Sequence, residues 1–184
     1  MKRHNERCAK CKESVAKQLR KLYGDVESNP KFTVGTVPHF YRAQPQFDAL
    51  SLIYEMLQKH RGFTNLVKVD SLPRCDFLIK RPNFLVEFDE SQHFTLPRKK
   101  ALSRYPRSLG LGFNRNRWIG LCDEISATDN TPPYRDEQRA WYDTLRDFLP
   151  TYLGVLPTVR LFARDAVWCC LSSEDFKKLF TKTE

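Results

Sequence analysis

The chain has 184 residues, 41% apolar and 29% charged, enough apolar material for one folded domain and too much for global disorder. Lys and Arg number 31 against 22 Asp and Glu, and the formal net charge of +9 favours an anionic partner, nucleic acid before others. No apolar run reaches membrane-spanning length, and the polar start MKRHNERCAKCKES is not a secretory signal, so a cytoplasmic protein without a membrane partner is expected.

The first chemical feature in chain order is Cys8-x-x-Cys11, half of a zinc site by spacing. Cys75 and Cys122 stand alone, and Cys169 and Cys170 are adjacent. In a reducing compartment such thiols are free or bind metal rather than form disulfides. His4, Cys169 or Cys170 would complete the half-site only if the chain ends meet in space.

A helix is predicted over 12–23, where Val15, Ala16, Leu19, Leu22 and Tyr23 share a face and Gly24 supplies a stop. Residues 25–46 hold Pro30, Gly35, Pro38 and Pro45 and read as a long connection, so 1–46 form an N-terminal segment ahead of a main domain, 47–184. A second helix covers 47–60, with Leu50, Ile53, Tyr54 and Leu57 as its stripe. Strands follow near 65–70, 75–79 and 84–89, the last two joined by a turn at Lys80–Asn83. Residues 97–133 read as an irregular insert rich in Pro and Gly. A helix over 134–149, a strand over 158–164 and a short helix capped by Ser172 or Ser173 complete the order. That order is an α/β or α+β domain with a central mixed sheet flanked by helices.

The hairpin carries the chemistry. If Lys80–Asn83 form its loop, Ile79 faces Phe84 and Asp76 faces Glu87. Alternation then puts Phe77, Ile79, Phe84, Val86 and Phe88 on an apolar face, and Asp76, Leu78, Leu85, Glu87 and Asp89 on the other. Carboxylates placed opposite one another repel, and Glu87 and Asp89 lie roughly 6.6 Å apart along one strand. A hard divalent cation, Mg²⁺ above all, relieves that repulsion. Gln92 and His93 follow where the strand should end, within reach of the same spot.

The run CDFLIKRPNFLVEFDESQHF, Cys75 to Phe94, resembles the metal-binding hairpin of the PD-(D/E)XK nuclease superfamily. More narrowly it is similar to the branch related to very-short-patch mismatch-repair endonucleases, with an Asp-Phe on one strand, an apolar run ending in Glu-x-Asp, and a His shortly after. Asp136, Arg139, Gly154 and Val159-Arg160-Leu161-Phe162 resemble that branch's closing helix and strand. The superfamily's usual Lys, two places after the Glu, is Asp89 here, and the Gly usual after that Asp is Glu90. The resemblance implies a restriction-endonuclease-like fold and phosphodiester hydrolysis with Mg²⁺ or Mn²⁺. On it, Asp76, Glu87 and the carbonyl of Phe88 hold the ion, while Asp89 binds a second ion or orients water. His93 serves as general acid or base, Gln92 positions phosphate or water, and Glu55 occupies the place of a helical Glu.

The insert supplies a nucleic-acid surface. Arg98, Lys99, Lys100, Arg104, Arg107, Arg115 and Arg117 fall in a stretch free of carboxylates, interleaved with Tyr105, Phe113 and Trp118. Cations suit phosphates, and a ring such as Trp118 stacks on a base or wedges between base steps. The expected function is a metal-dependent DNA endonuclease. Its rivals are an inactive nucleic-acid-binding module of the same fold and a zinc-clipped protein-interaction domain.

Overall fold

The hairpin expected at 75–89 forms the middle of a four-stranded mixed sheet in the computed structural model, which describes residues 4–181. Strand β2 (Phe77–Ile79) runs antiparallel to β3 (Phe84–Asp89), with Ile79 opposite Phe84 and Phe77 opposite Val86. That is the expected register. Strand β1 (Val26–Ser28) adds antiparallel to β2, and β4 (Leu156–Phe162) adds parallel to β3. A parallel neighbour needs a crossover, and the whole stretch between β3 and β4 supplies it.

Helices cover both faces of the sheet, an α+β arrangement. Helix α1 (Ala9–Tyr23) and helix α6 (Ser173–Thr181) pack Val15, Leu19, Phe176 and Phe180 against Phe77, Phe84, Val86 and Phe88. On the other side Leu85 meets a core built from helix α2 (Phe47–Arg61) and helix α5 (Arg135–Leu153), including Leu50, Ile53, Trp141 and Leu145. Strand β3 is therefore buried along its whole length. The first 46 residues contribute α1 and β1 to this one sheet and its cover. Gly24 and Gly154 end α1 and α5 at positive φ (79° and 67°), where a Cβ would be strained.

Three expectations about elements are corrected. Residues 65–70 alternate like a strand, yet they run extended beside α5 without joining the sheet; the carbonyls of Leu66 and Val69 accept from the side chains of Gln138 and Thr36. The third antiparallel place is taken by β1, whose three residues are too few for alternation to show. The insert is not irregular, because helix α3 (Leu96–Leu102) and helix α4 (Arg115–Ile125) lie in it. Pro97 sits in the first turn of α3, where a missing N–H costs nothing, and Thr95 and Asn114 cap the two helices.

Candidate active site and metal centres

Asp76 stands one residue before β2 and Glu87 lies across from it on β3. The backbone N–H of Asp76 donates to Glu87 Oε1 at 3.1 Å, and the N–H of Phe88 donates to Asp76 Oδ2 at 2.8 Å. The two carboxylates thus sit side by side, as the hairpin register requires. Their counter-charges come from elsewhere in the chain. Lys12, near the start of α1, places Nζ 2.8 Å from Asp76 Oδ1, and Arg146 of α5 places Nε 3.4 Å from Glu87 Oε2. Burial alone would lower the Lys12 ammonium, but Asp76, then Glu90 and Glu87, hold it above the ordinary lysine value. Burial, offset in part by Arg146 and reinforced by Asp76, pushes the Glu87 carboxyl up to about 7. Burial is the main cause of that rise, and an oxygen-coordinated divalent ion at the pair would favour the charged form. Among the described residues Arg146 Nε has no hydrogen-bond partner, and its contact with Glu87 is an ion pair alone.

Asp89, expected to bind a second ion or orient water, has partners on both of its oxygens. Its Oδ1 accepts from Arg160 of β4 at 2.6 Å and its Oδ2 from Trp118 Nε1 at 2.8 Å, and the residue is 1% exposed. Arg160 also reaches Asp147 Oδ1 at 2.7 Å and the carbonyl of Asp143 at 3.1 Å. His93 joins this network through Nδ1, 2.8 Å from Asp143 Oδ2 and 3.7 Å from Asp89 Oδ1. Burial works against a charged ring, yet Asp143 and then Asp89 raise the His93 pKa above its ordinary 6.5. Asp89, His93 and Asp143 converge closely enough to hold a metal by distance alone. Arg160 already pairs with Asp89 and donates to the Asp143 carbonyl, and His93 Nδ1 shares a hydrogen bond with Asp143, so the cluster is also a buried ionic network without an ion.

The remaining expected residues separate. Gln92 accepts from Arg7 at 3.0 Å and donates to Glu90 at 2.8 Å, beside a hollow of about 360 Å³ lined by the chain start and the end of the hairpin. Glu55 is not brought to the hairpin: it pairs with Lys59 on the exposed side of α2, bordering a depression shared with Lys100 and Arg104. Arg98 is 1% exposed and paired with Asp147 at 2.6 Å, and Trp118 is 1% exposed in the core. Neither is available to DNA. Helix formation in the insert turns both inward, which a loop would not. Lys99 pairs with Asp123, Arg117 with Asp165, and Lys100 meets His60 at 2.7 Å. Arg104 and Arg107 are exposed and Arg115 is half-buried, donating to the carbonyl of Tyr105.

A second cluster joins the start of α1 to the turn after β4. Cys8 and Cys11, at the start of α1, meet His4 and Cys169, with one ligand atom from each of the four within 4.8 Å of the others. This set could hold a metal ion.

The sequence did signal the unexpected participants. Lys12 falls on the α1 stripe of Val15, Ala16 and Leu19, an odd place for a lysine unless it has a partner. Asp136, Arg139, Asp143, Arg146 and Asp147 recur at helical spacing on α5, a charged stripe on a largely buried helix. Arg160 interrupts an apolar strand. No protein-family model matches the chain, and neither the search of characterised proteins nor that of solved structures found a match.

Proposed function

We propose that the protein is a metal-dependent endonuclease that hydrolyses DNA phosphodiester bonds on a restriction-endonuclease-like sheet. The pairing of Asp76 with Glu87 across the β2–β3 hairpin, beside the Lys12 ammonium, carries this reading. The donors are hard oxygens and suit Mg²⁺ or Mn²⁺, with the Phe88 carbonyl as a third ligand. A bound ion would neutralise the scissile phosphate and favour attack by water in line with the leaving oxygen. Lys12 offers that phosphate a further cation, taking over from another element the role of the lysine that the family pattern carries where this chain has Asp89. Gln92, tethered between Arg7 and Glu90, orients phosphate or water at the rim in this reading. His93, held by Asp143, is the proton carrier of this reading. Zinc suits the thiols of Cys8 and Cys11, a separate centre of structural kind. DNA contact falls to the exposed Arg104 and Arg107, with Arg115, Lys99, Lys100 and Arg117 beside them.

One observation favours the inactive nucleic-acid-binding module instead. Lys12 and Arg146 already meet the two carboxylates, so the pair can persist without an ion. Incubation with supercoiled plasmid and Mg²⁺ or Mn²⁺ separates the readings. Nicking is expected, reduced at least about a hundredfold in Asp76→Asn and Glu87→Gln, which remain folded. Salt-dependent binding with no cleavage under any divalent ion would establish the inactive module, and cleavage by either variant at the wild-type rate would overturn the site.

A further inference from the structure

We infer that His4, Cys8, Cys11 and Cys169 bind a single zinc ion, and that this ion sets Lys12 against Asp76. The ligand set spans nearly the whole chain: a Cys-x-x-Cys pair at the start of α1, a histidine before it, and one of two adjacent cysteines in the turn after β4. His4 Nε2 lies 3.1 Å from Cys11 Sγ and 3.6 Å from Cys169 Sγ. Tetrahedral zinc with its usual bond lengths puts ligand N and S roughly 3.6 Å apart, and two S roughly 3.8 Å apart. The side chains therefore stand near ligand positions, all four ligand atoms lying within 4.8 Å of one another. The Cys11 N–H donates to the Cys8 carbonyl at 2.9 Å, closing the turn that brings the two thiols to one side. Cys170, 3.9 Å from Cys169 by sulfur, is exposed and outside the convergent set.

The position of this cluster matters as much as its composition. Cys11 immediately precedes Lys12, and the same short stretch makes two further contacts with the end of the hairpin. Glu6 accepts from the N–H of Ser91 at 2.7 Å, and Arg7 donates to Gln92 at 3.0 Å. These contacts and the Lys12–Asp76 pair are partly exposed and individually weak. Four metal bonds are not. The ion thus fixes the residues before Lys12 to the turn after β4 and presents Lys12 to the carboxylates at a set depth. The zinc assignment is independent of the nuclease reading; its effect on the divalent-ion site rests on that reading only through the ion at Asp76.

Metal analysis of protein purified without chelator is expected to give one zinc per chain. It should fall below about a tenth in Cys8→Ser, Cys11→Ser and Cys169→Ser, and stay unchanged in Cys170→Ser. Because a ligand variant could fail to fold, Co²⁺ is also added to zinc-stripped wild-type protein, where thiolate charge-transfer and tetrahedral d–d bands should saturate at one equivalent. The coupling is read from Mn²⁺ affinity by electron paramagnetic resonance, not from cleavage. Loss of a neighbouring cation should raise that affinity about fivefold in Lys12→Ala. Stripping zinc should do the same in the wild type and add nothing in Lys12→Ala. No zinc and no thiolate–cobalt bands would overturn the site. An equal effect of stripping in both backgrounds, or none in either, would overturn the link to Lys12. A zinc-loaded protein with this coupling but no plasmid nicking would leave the inference standing and remove the nuclease reading.

Discussion

At the scale of single residues, charge partners decide what each acid is for. Asp76 keeps a partly exposed ammonium beside it, whereas Asp89 has both oxygens spent on Arg160 and Trp118. Arg160 is the hub: removing its guanidinium leaves buried Asp89 without its closest cation and buried Asp147 with Arg98 alone. Arg160→Met is expected to cost ~3–5 kcal/mol in urea unfolding, since an unpaired buried charge costs more than the pair gains. A loss under about 1 kcal/mol would show that Arg98 and Arg146 can cover the deficit. His93 gives a second check. Its folded pKa lies above the ordinary 6.5, so its pairing with Asp143 adds stability that is complete below about 6.5 and lost as pH rises through the folded value. An NMR titration should place His93 above free histidine, and Asp143→Asn should bring it down. An unshifted midpoint in the wild type would dissolve the ion pair.

Among elements, α3 and α4 change the meaning of the insert. As a loop it would offer seven cations and a stacking tryptophan; as two helices it turns Arg98 and Trp118 into the core and leaves a thinner basic edge. Trp118→Ala should therefore act as a core truncation, losing ~3–5 kcal/mol of stability. Normal stability with weakened DNA binding would return the ring to the surface. The exposed pair behaves otherwise. Arg104→Gln with Arg107→Gln should keep the fold and make log K against log salt shallower by about 0.9 for each phosphate of duplex DNA that is no longer neutralised. An unchanged slope would move the DNA surface elsewhere, with the chain-start cations Arg7 and Lys10 as the next to test.

For the molecule as a whole, the buried network removes Glu87, Asp89, Asp143 and Asp147 from the surface along with Arg98, Arg146 and Arg160. The four acids outnumber the three guanidiniums, so burying this network does not reduce the positive excess left at the surface of the described residues. His4, Cys8, Cys11 and Cys169 meet, which brings the start of α1 and the turn after β4 to one point. Zinc removal should then lower the thermal midpoint by several degrees, as expected for a ligand that binds only the folded state. An unchanged midpoint would mean that apolar packing of α1 with α6 and the sheet holds the ends alone.

Much of this was legible in the amino-acid order. Alternation in Asp76–Ile79 and Phe84–Asp89 set the hairpin register and hence the meeting of Asp76 with Glu87. Helical spacing set the apolar faces of α1, α2 and α5, and the Cys8–Cys11 spacing announced two of the four residues that meet, His4 and Cys169 being the others. These follow from periods of two and 3.6 residues, which neighbours in sequence dictate. The tertiary structure alone decided which faces stack, and so which charges pair. Lys12 reaches Asp76 across 64 residues, Arg160 reaches Asp89 across 71, and Cys169 reaches His4 across 165. No local period encodes such partners. They are fixed when both faces of the sheet are covered, because a carboxylate taken out of water must find a cation from whichever element arrives opposite it.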